Sequence, residues 1–277
     1  MFRICLGLAM AAAAAAQSAA DRVAFEAASV KPARRGQLGG SMDGGPGTKD
    51  PGRFAATNAA LSWLVMRAYH LDGEDRLSAP AWMDEASYDV AAGVPPGTTA
   101  EQFRTMLQNL LAERFRMRVH HETRILPVYE LTVAKNGPKL KPAAAGSGTD
   151  DFVPGSGIRP ADRDGFPILP PGRSNVACAH LARGSYCTYR MSTMEQFVAR
   201  LGRPGNNGVG RRVIDKTGLA GQYDFTLHFL PVYRTDGDGE VPSLEQALQE
   251  QLGLKLVPAK ASIDVLVIDH AERPTAN

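Results

Sequence analysis

Tyr88-Asp89-Val90 opens a short apolar run, and Tyr223-Asp224-Phe225 opens another 135 residues further on. Each triplet lies between two stretches of helical spacing. Ahead of the first, Leu61, Leu64, Val65 and Ala68 fall at i, i+3, i+4 and i+7, and ahead of the second Met194, Phe197, Val198 and Leu201 do the same. Beyond the first triplet, residues 106–113 (Met-Leu-Gln-Asn-Leu-Leu-Ala-Glu) read as a helix, answered by residues 243–250 (Ser-Leu-Glu-Gln-Ala-Leu-Gln-Glu). Both helices run into alternating residues: Phe115, Met117 and Val119 in one half, Leu252, Leu254 and Leu256 in the other. Residues 128–133 and 263–268 then close each half as a further strand. The offset between matched segments stays between 133 and 137 residues. A near-constant offset over five elements is the mark of an internal repeat. The expectation is an α+β fold of two pseudo-repeats, each strand-helix-strand-helix-strand-strand. Its sheet is mostly antiparallel, with helices packed on it because an amphipathic helix needs a surface to cover its apolar side.

Working outward, residues 1–20 read as a signal peptide. Arg3 supplies a positive start, Ile4 through Ala16 is an apolar run too short to cross a bilayer of roughly 30 Å, and small residues follow up to Ala20. No lipobox surrounds Cys5. The first repeat is placed at 21–141 and the second at 184–277, with a linker rich in Gly, Pro and Ala at 142–183. Residues 23–30 read as a first strand stopped by Pro32, and 33–52 as a mobile loop.

The chain of 277 residues is 44% hydrophobic and 22% charged, with a formal charge of +2. That balance lacks the concentrated basic face that nucleic acid requires. No second stretch approaches membrane-spanning length, so no membrane span is expected after signal cleavage. Cys178 and Cys187 are the cysteines left once the signal is removed. In an oxidising compartment so close a pair favours a disulfide, contributing roughly 2–3 kcal/mol.

Chemistry is sparse. Asp215-Lys216-Thr217-Gly218 matches the start of the phosphorylated motif of P-type ATPases, but the match stops at Leu219, and Gly218 and Gly221 read as turn residues. His120, His121 and Glu122 lie on an alternating run, where neighbours point to opposite faces and the two histidines do not share a metal. His270, beside Asp269 and Glu272, has to meet His121 in space before either acquires a role. Asp215, His121 and His270 are the catalytic candidates. There is no Gly-x-Ser-x-Gly elbow and no Ser-x-x-Lys pair, and among the carboxylates Asp84, Glu85, Glu113 and Glu122 none stands out. Trp63 flanks the core on the first helix. Trp82, after Pro80 in a loop, is the candidate binding anchor. No cofactor or metal site is expected.

Several further segments carry a resemblance. They are residues 25–32 (Phe-Glu-Ala-Ala-Ser-Val-Lys-Pro), Ala79-Pro80-Ala81-Trp82, the run Leu110 to Phe115, His121-Glu122, Val213 to Leu219, Gly221 to Phe225, Glu250 to Leu256 and Val267 to Pro274. In this order they resemble a family of secreted proteins of unknown function known mainly from soil acidobacteria, the domain of unknown function numbered 3738. In some of its members a similar domain is joined to a membrane metallopeptidase of the antibiotic-sensor type. The helix–strand–strand end of each half is also similar to the small interaction domains at the N-termini of secretins and outer-membrane receptors. The resemblance implies a periplasmic or extracellular, non-enzymatic binding or sensory module, with an envelope protein or cell-wall component as partner and the oligomeric state left open. The alternatives are a secreted hydrolase with a site between the repeats and a structural component that binds peptidoglycan.

Overall fold

The computed structural model describes residues 23–34, 39–143, 160–169, 175–203, 205, 208–231 and 241–274. The signal-peptide reading and Cys5 fall outside them. The chain is α+β and divides into two compact units, Met1–Glu122 with Asp264–Asn277, and Thr123–Ile263.

The first unit is built on a four-stranded antiparallel sheet of order β1-β5-β3-β2. Its strands are β1 (Ala28–Pro32), β2 (Ser41–Gly44), β3 (Arg53–Ala60) and β5 (Ser87–Gly93). Helix α1 (Leu61–Ala68) follows β3 directly and buries Leu61, Leu64, Val65 and Ala68, the spacing read from sequence. A two-residue strand, β4 (Leu77–Ser78), and the short helix α2 (Trp82–Glu85) lead into β5. Helix α3 (Ala100–Arg114) begins at a capping box in which Thr99 and Gln102 each bond the other's backbone N–H. Its apolar face, Phe103, Met106, Leu107, Leu110 and Leu111, closes over the sheet. Phe103 meets Phe54 and Phe25 edge-on at centroid distances of 5.3 and 5.8 Å. The Gln108 amide donates to the Ala68 carbonyl at the end of α1, 3.0 Å away.

The second unit has its own antiparallel sheet, of order β7-β11-β9-β8. These are β7 (Lys141–Pro142), β8 (Asn175–Leu181), β9 (Gly184–Ser192) and β11 (Tyr223–Phe229). Helix α4 (Met194–Leu201) follows β9 after a Thr193–Gln196 capping box, and α5 (Leu244–Ala247, continuing as a π-turn over Leu248–Leu252) follows a Ser243–Gln246 box. Tyr189, Phe197 and Phe225 form its aromatic centre: Tyr189 stacks on Phe225 at 4.5 Å and Phe197 packs edge-on against both. Burying side chains of this size contributes about 1.5–3 kcal/mol each.

A third sheet, of order β10-β6-β12-β4, holds two long strands, β6 (Arg118–Val133) and β12 (Leu254–His270), with β10 (Val213–Asp215) parallel to β6 and β4 parallel to β12. The sequence reading made two strands of each. They are continuous because residues 120–127 and 257–262 hold no glycine or asparagine to turn the chain, so the polar gap in the apolar alternation is exposed strand.

Three smaller readings are corrected. The first strand starts at Ala28 rather than at residue 23, and it ends at Pro32, whose ring needs no ladder donor because its backbone faces away from β5. Residues 41–44, within the segment read as a mobile loop, form β2, whose pairing with β3 supplies the order that composition does not show. Residues 175–181, within the segment read as a linker, form β8, zipped to β9 from Asn175↔Arg190 to Leu181↔Gly184.

Candidate functional site

Helix α1 leaves one stripe uncovered. Trp63, Met66 and Arg67 fall at i, i+3 and i+4 on the side opposite Leu61, Leu64, Val65 and Ala68, and His70 follows two residues past the end of the helix at φ +52. Trp63 stays 42% exposed. Met42 from the edge strand β2 and Leu71 and Glu74 beyond the helix complete a groove of about 330 Å³. The Trp63 ring lies against the backbone of Gly40, where an added Cβ would stand 3.1 Å from the indole. The Gly39 carbonyl accepts from the Asn58 side-chain amide at 2.6 Å, which pins that backbone to β3. The groove thus has a fixed floor, an apolar wall, and Arg67, His70 and Glu74 at its rim.

A second groove, of about 740 Å³, runs along the opposite edge of the same sheet. It is lined by β1 from Ala28 to Pro32, by Glu113, Arg114 and Arg116 at the end of α3, and by Glu272, Arg273 and Pro274 after β12. Arg116 adopts φ +50. Trp82, the predicted binding anchor, is not in a loop: it is the first residue of α2, half-buried against the core. The Arg273 guanidinium sits over its ring at 5.4 Å. Trp82 therefore reaches this groove through the arginine it carries.

The histidine candidates do not come together. His121 Nδ1 lies 3.0 Å from Asp264 Oδ2, whereas His270 Nε2 lies 2.8 Å from Glu272 Oε1 and His120 Nδ1 is 2.7 Å from Asp269 Oδ1. Each imidazole has its own carboxylate, and the groups are roughly half exposed. Asp264 also accepts from Arg76, 3.0 Å away. The His121 hydrogen bond holds the Asp264 carboxyl below its ordinary range; desolvation opposes it, and the charge of His121 and the hydrogen bond and charge of Arg76 add to the lowering. Among the described residues no group of three or more His, Cys, Asp or Glu side chains is placed to hold a metal.

Asp215 ends β10 and folds back on its own turn: its Oδ1 accepts from the Thr217 N–H at 2.9 Å and hydroxyl at 2.7 Å, and the Leu219 N–H donates to Thr217 Oγ1. Gly218 and Gly221 follow at φ +68 and +93. One hydroxyl–imidazole pair escaped the sequence reading, Ser185 Oγ with His180 Nδ1 at 2.9 Å. Burial, aided by the charge of Arg200, holds His180 below its ordinary value. Ser185 has no accessible surface, so that hydroxyl is closed to a substrate. Cys178 and Cys187 stand directly opposite in β8 and β9 and are bridged, with Cα atoms 4.1 Å apart.

Sequence reasoning missed the Trp63 stripe because a tryptophan beside Leu61 and Leu64 reads as core. The signal was available in the i, i+3, i+4 spacing of Trp63, Met66 and Arg67. Among the described residues no helix is long and apolar enough to cross a membrane. No curated protein and no solved structure matches the chain. A family model does match, over residues 62–271, and it runs from α1 to the end of β12; the chain belongs to the family described as protein of unknown function (DUF3738).

Proposed function

We propose that this protein is an exported binding or sensory module of the cell envelope, without catalytic activity of its own, which engages a partner protein through the Trp63 groove. The exposed tryptophan carries this reading. A large aromatic ring held on a rigid helix, flanked by Met42, Met66 and Leu71 and rimmed by Arg67, His70 and Glu74, has the composition of an interface anchor. Methionine side chains beside it adapt to an apolar partner. The disulfide supports an oxidising compartment. The surface positions of His121 and His270, each closed on its own carboxylate, and the turn that absorbs Asp215 weigh against catalysis by those residues.

The test is a crosslinked pull-down from envelope extract of the protein's own host, run in parallel on wild type and Trp63→Ala. A near-stoichiometric protein captured by wild type and lost with Trp63→Ala supports the reading, since removing an aromatic anchor costs about 2 kcal/mol or more. Recovery of murein alone, or a partner indifferent to Trp63→Ala, counts against it.

The two units also support the duplication expected from sequence. Along the chain each half has three strands, a helix, a short strand, a strand with Tyr-Asp at or beside its start, a capped helix and a long strand, and the orders β1-β5-β3-β2 and β7-β11-β9-β8 correspond strand for strand. Failure of the two sheets and their helices to superpose would remove the idea.

A further inference from the structure

The groove along β1 is a different kind of surface from the Trp63 stripe, and its backbone decides what it takes. Among the described residues β1 has one sheet neighbour, β5, in an antiparallel register that sets Ala28 against Ala92, Val30 against Val90 and Pro32 against Tyr88. The Ala33 N–H donates to the Ser87 carbonyl at 2.9 Å, and the Gly93 N–H to the Ala27 carbonyl at 2.9 Å. Hydrogen-bonded pairs alternate along an antiparallel ladder, so residues 27, 29, 31 and 33 face β5. Ala28, Val30 and Pro32 then turn their backbone groups away from it, into the groove they line. Pro32 has no N–H to offer. The open edge therefore presents donors at Ala28 and Val30, with carbonyls at Ala28, Val30 and Pro32.

The charged side chains lining this groove are mostly cationic. Lys31, Arg114, Arg116 and Arg273 outnumber Glu113 and Glu272. Both glutamates are engaged: Glu113 lies 3.7 Å from Arg114 Nε, and Glu272 bonds His270. The Arg114 Nε is buried and makes no hydrogen bond among the described residues. Arg273 is held over Trp82, and Arg116 has a left-handed backbone at φ +50. A strand edge supplies the geometry for an added strand, and arginines beside it supply the preference for carboxylates.

We propose that an extended acidic segment of a partner protein adds to the open edge of β1, antiparallel or parallel, with its carboxylates on Arg116, Arg273 and Arg114. This surface is independent of the Trp63 groove. A peptide can occupy one while the other is mutated, so the two readings fail separately.

The experiment uses the full chain and three fluorescein-labelled octapeptides: alternating threonine and glutamate, alternating threonine and lysine, and the acidic peptide with two central residues replaced by proline. Fluorescence anisotropy should show saturable binding of the threonine–glutamate peptide and none of the lysine peptide. Arg116→Asn, which keeps a residue tolerant of the left-handed conformation, and Arg273→Ala should each weaken binding roughly ten-fold. Trp63→Ala should leave it unchanged. Amide hydrogen exchange should slow at Ala28 and Val30 when the acidic peptide binds, a readout that needs no folded variant. Equal binding of the proline-bearing peptide, or unchanged exchange over residues 28–32, would overturn strand addition. Absence of saturable binding by the acidic peptide would overturn the site.

Discussion

The carboxylate of Asp89 accepts a hydrogen bond, 2.8 Å long, from the backbone N–H of Asn58. Asn58 has φ +48 and sits where the register of β3 against β5 shifts between Ala56 and Ala59. In the second unit Asp224 does the same for Met191, at 2.7 Å, with Met191 at φ +50 and a register shift beside it. The aspartate of each Tyr-Asp triplet is thus a clamp on a bulge in the neighbouring strand, where a left-handed residue leaves the ladder and its N–H needs another acceptor.

Asp89→Ala and Asp224→Ala should each destabilise the fold by about 1–3 kcal/mol, the cost of orphaning that donor and losing a charged acceptor. Asp→Asn, which retains an acceptor oxygen, should cost less. Urea denaturation at neutral pH measures the difference, and alanine variants as stable as wild type would show that the clamp is dispensable.

Breaking the Cys178–Cys187 bridge by Cys178→Ser with Cys187→Ser should lower stability by about 2–3 kcal/mol. The bridged residues are nine apart and already paired across a hairpin, so the effect belongs to the unfolded chain more than to native contacts. Wild type melted with and without a reductant should show the same loss; identical melting curves would refute it.

Asp264 provides a pH prediction. Its folded carboxyl lies below the ordinary value, with the His121 hydrogen bond as the largest cause and Arg76 adding to it. A depressed carboxylate stabilises the fold above its unfolded pKa, and that contribution is lost as pH falls through the folded one. Carbon-detected NMR titration of His121→Ala should therefore show Asp264 moving up towards its ordinary value, with acid unfolding beginning at higher pH. An unchanged Asp264 titration in that variant would contradict the assignment.

Gly253 ends the π-turn of α5 at φ +67, its Cα facing the carbonyl of Gly137. Gly253→Ala adds a methyl group to a left-handed residue with backbone already in that space. A loss of about 1–3 kcal/mol should follow. Gly218→Ala, at φ +68 with open space around it, should lose less, and comparing the two by thermal melting separates the clash from the backbone strain.

The helices were legible because their cause is local. Leu61, Leu64, Val65 and Ala68 repeat at 3.6 residues, and Thr193 with Gln196 closes a cap within one turn. The Tyr-Asp triplets were visible as a pattern, but their purpose was not, since Asp89 and Asn58 meet across a sheet. β2 and β8 were hidden for the same reason: Ser41–Gly44 and Asn175–Leu181 become strands only beside β3 and β9. The site residues were hidden by distance along the chain. His121 finds Asp264 rather than His270, Trp82 finds Arg273, and β1 gathers arginines from the end of α3 and from the C-terminal segment.

The division of the chain has a consequence for the order in which the protein is finished. The first unit contains Met1–Glu122 but takes its remaining residues from Asp264–Asn277. Leu266, fully buried, and Ile268 are part of that unit's core, and Leu266 pairs with Leu77. A ribosome or an export channel that delivers the chain from its N-terminus supplies those residues last. The half that emerges first therefore waits, with β4 lacking its partner strand, until the continuous half has already been delivered. A nascent chain stopped at residue 263 carries every residue of the later half and an earlier half that is still open, so the aggregation-prone interval in biogenesis belongs to the segment made first.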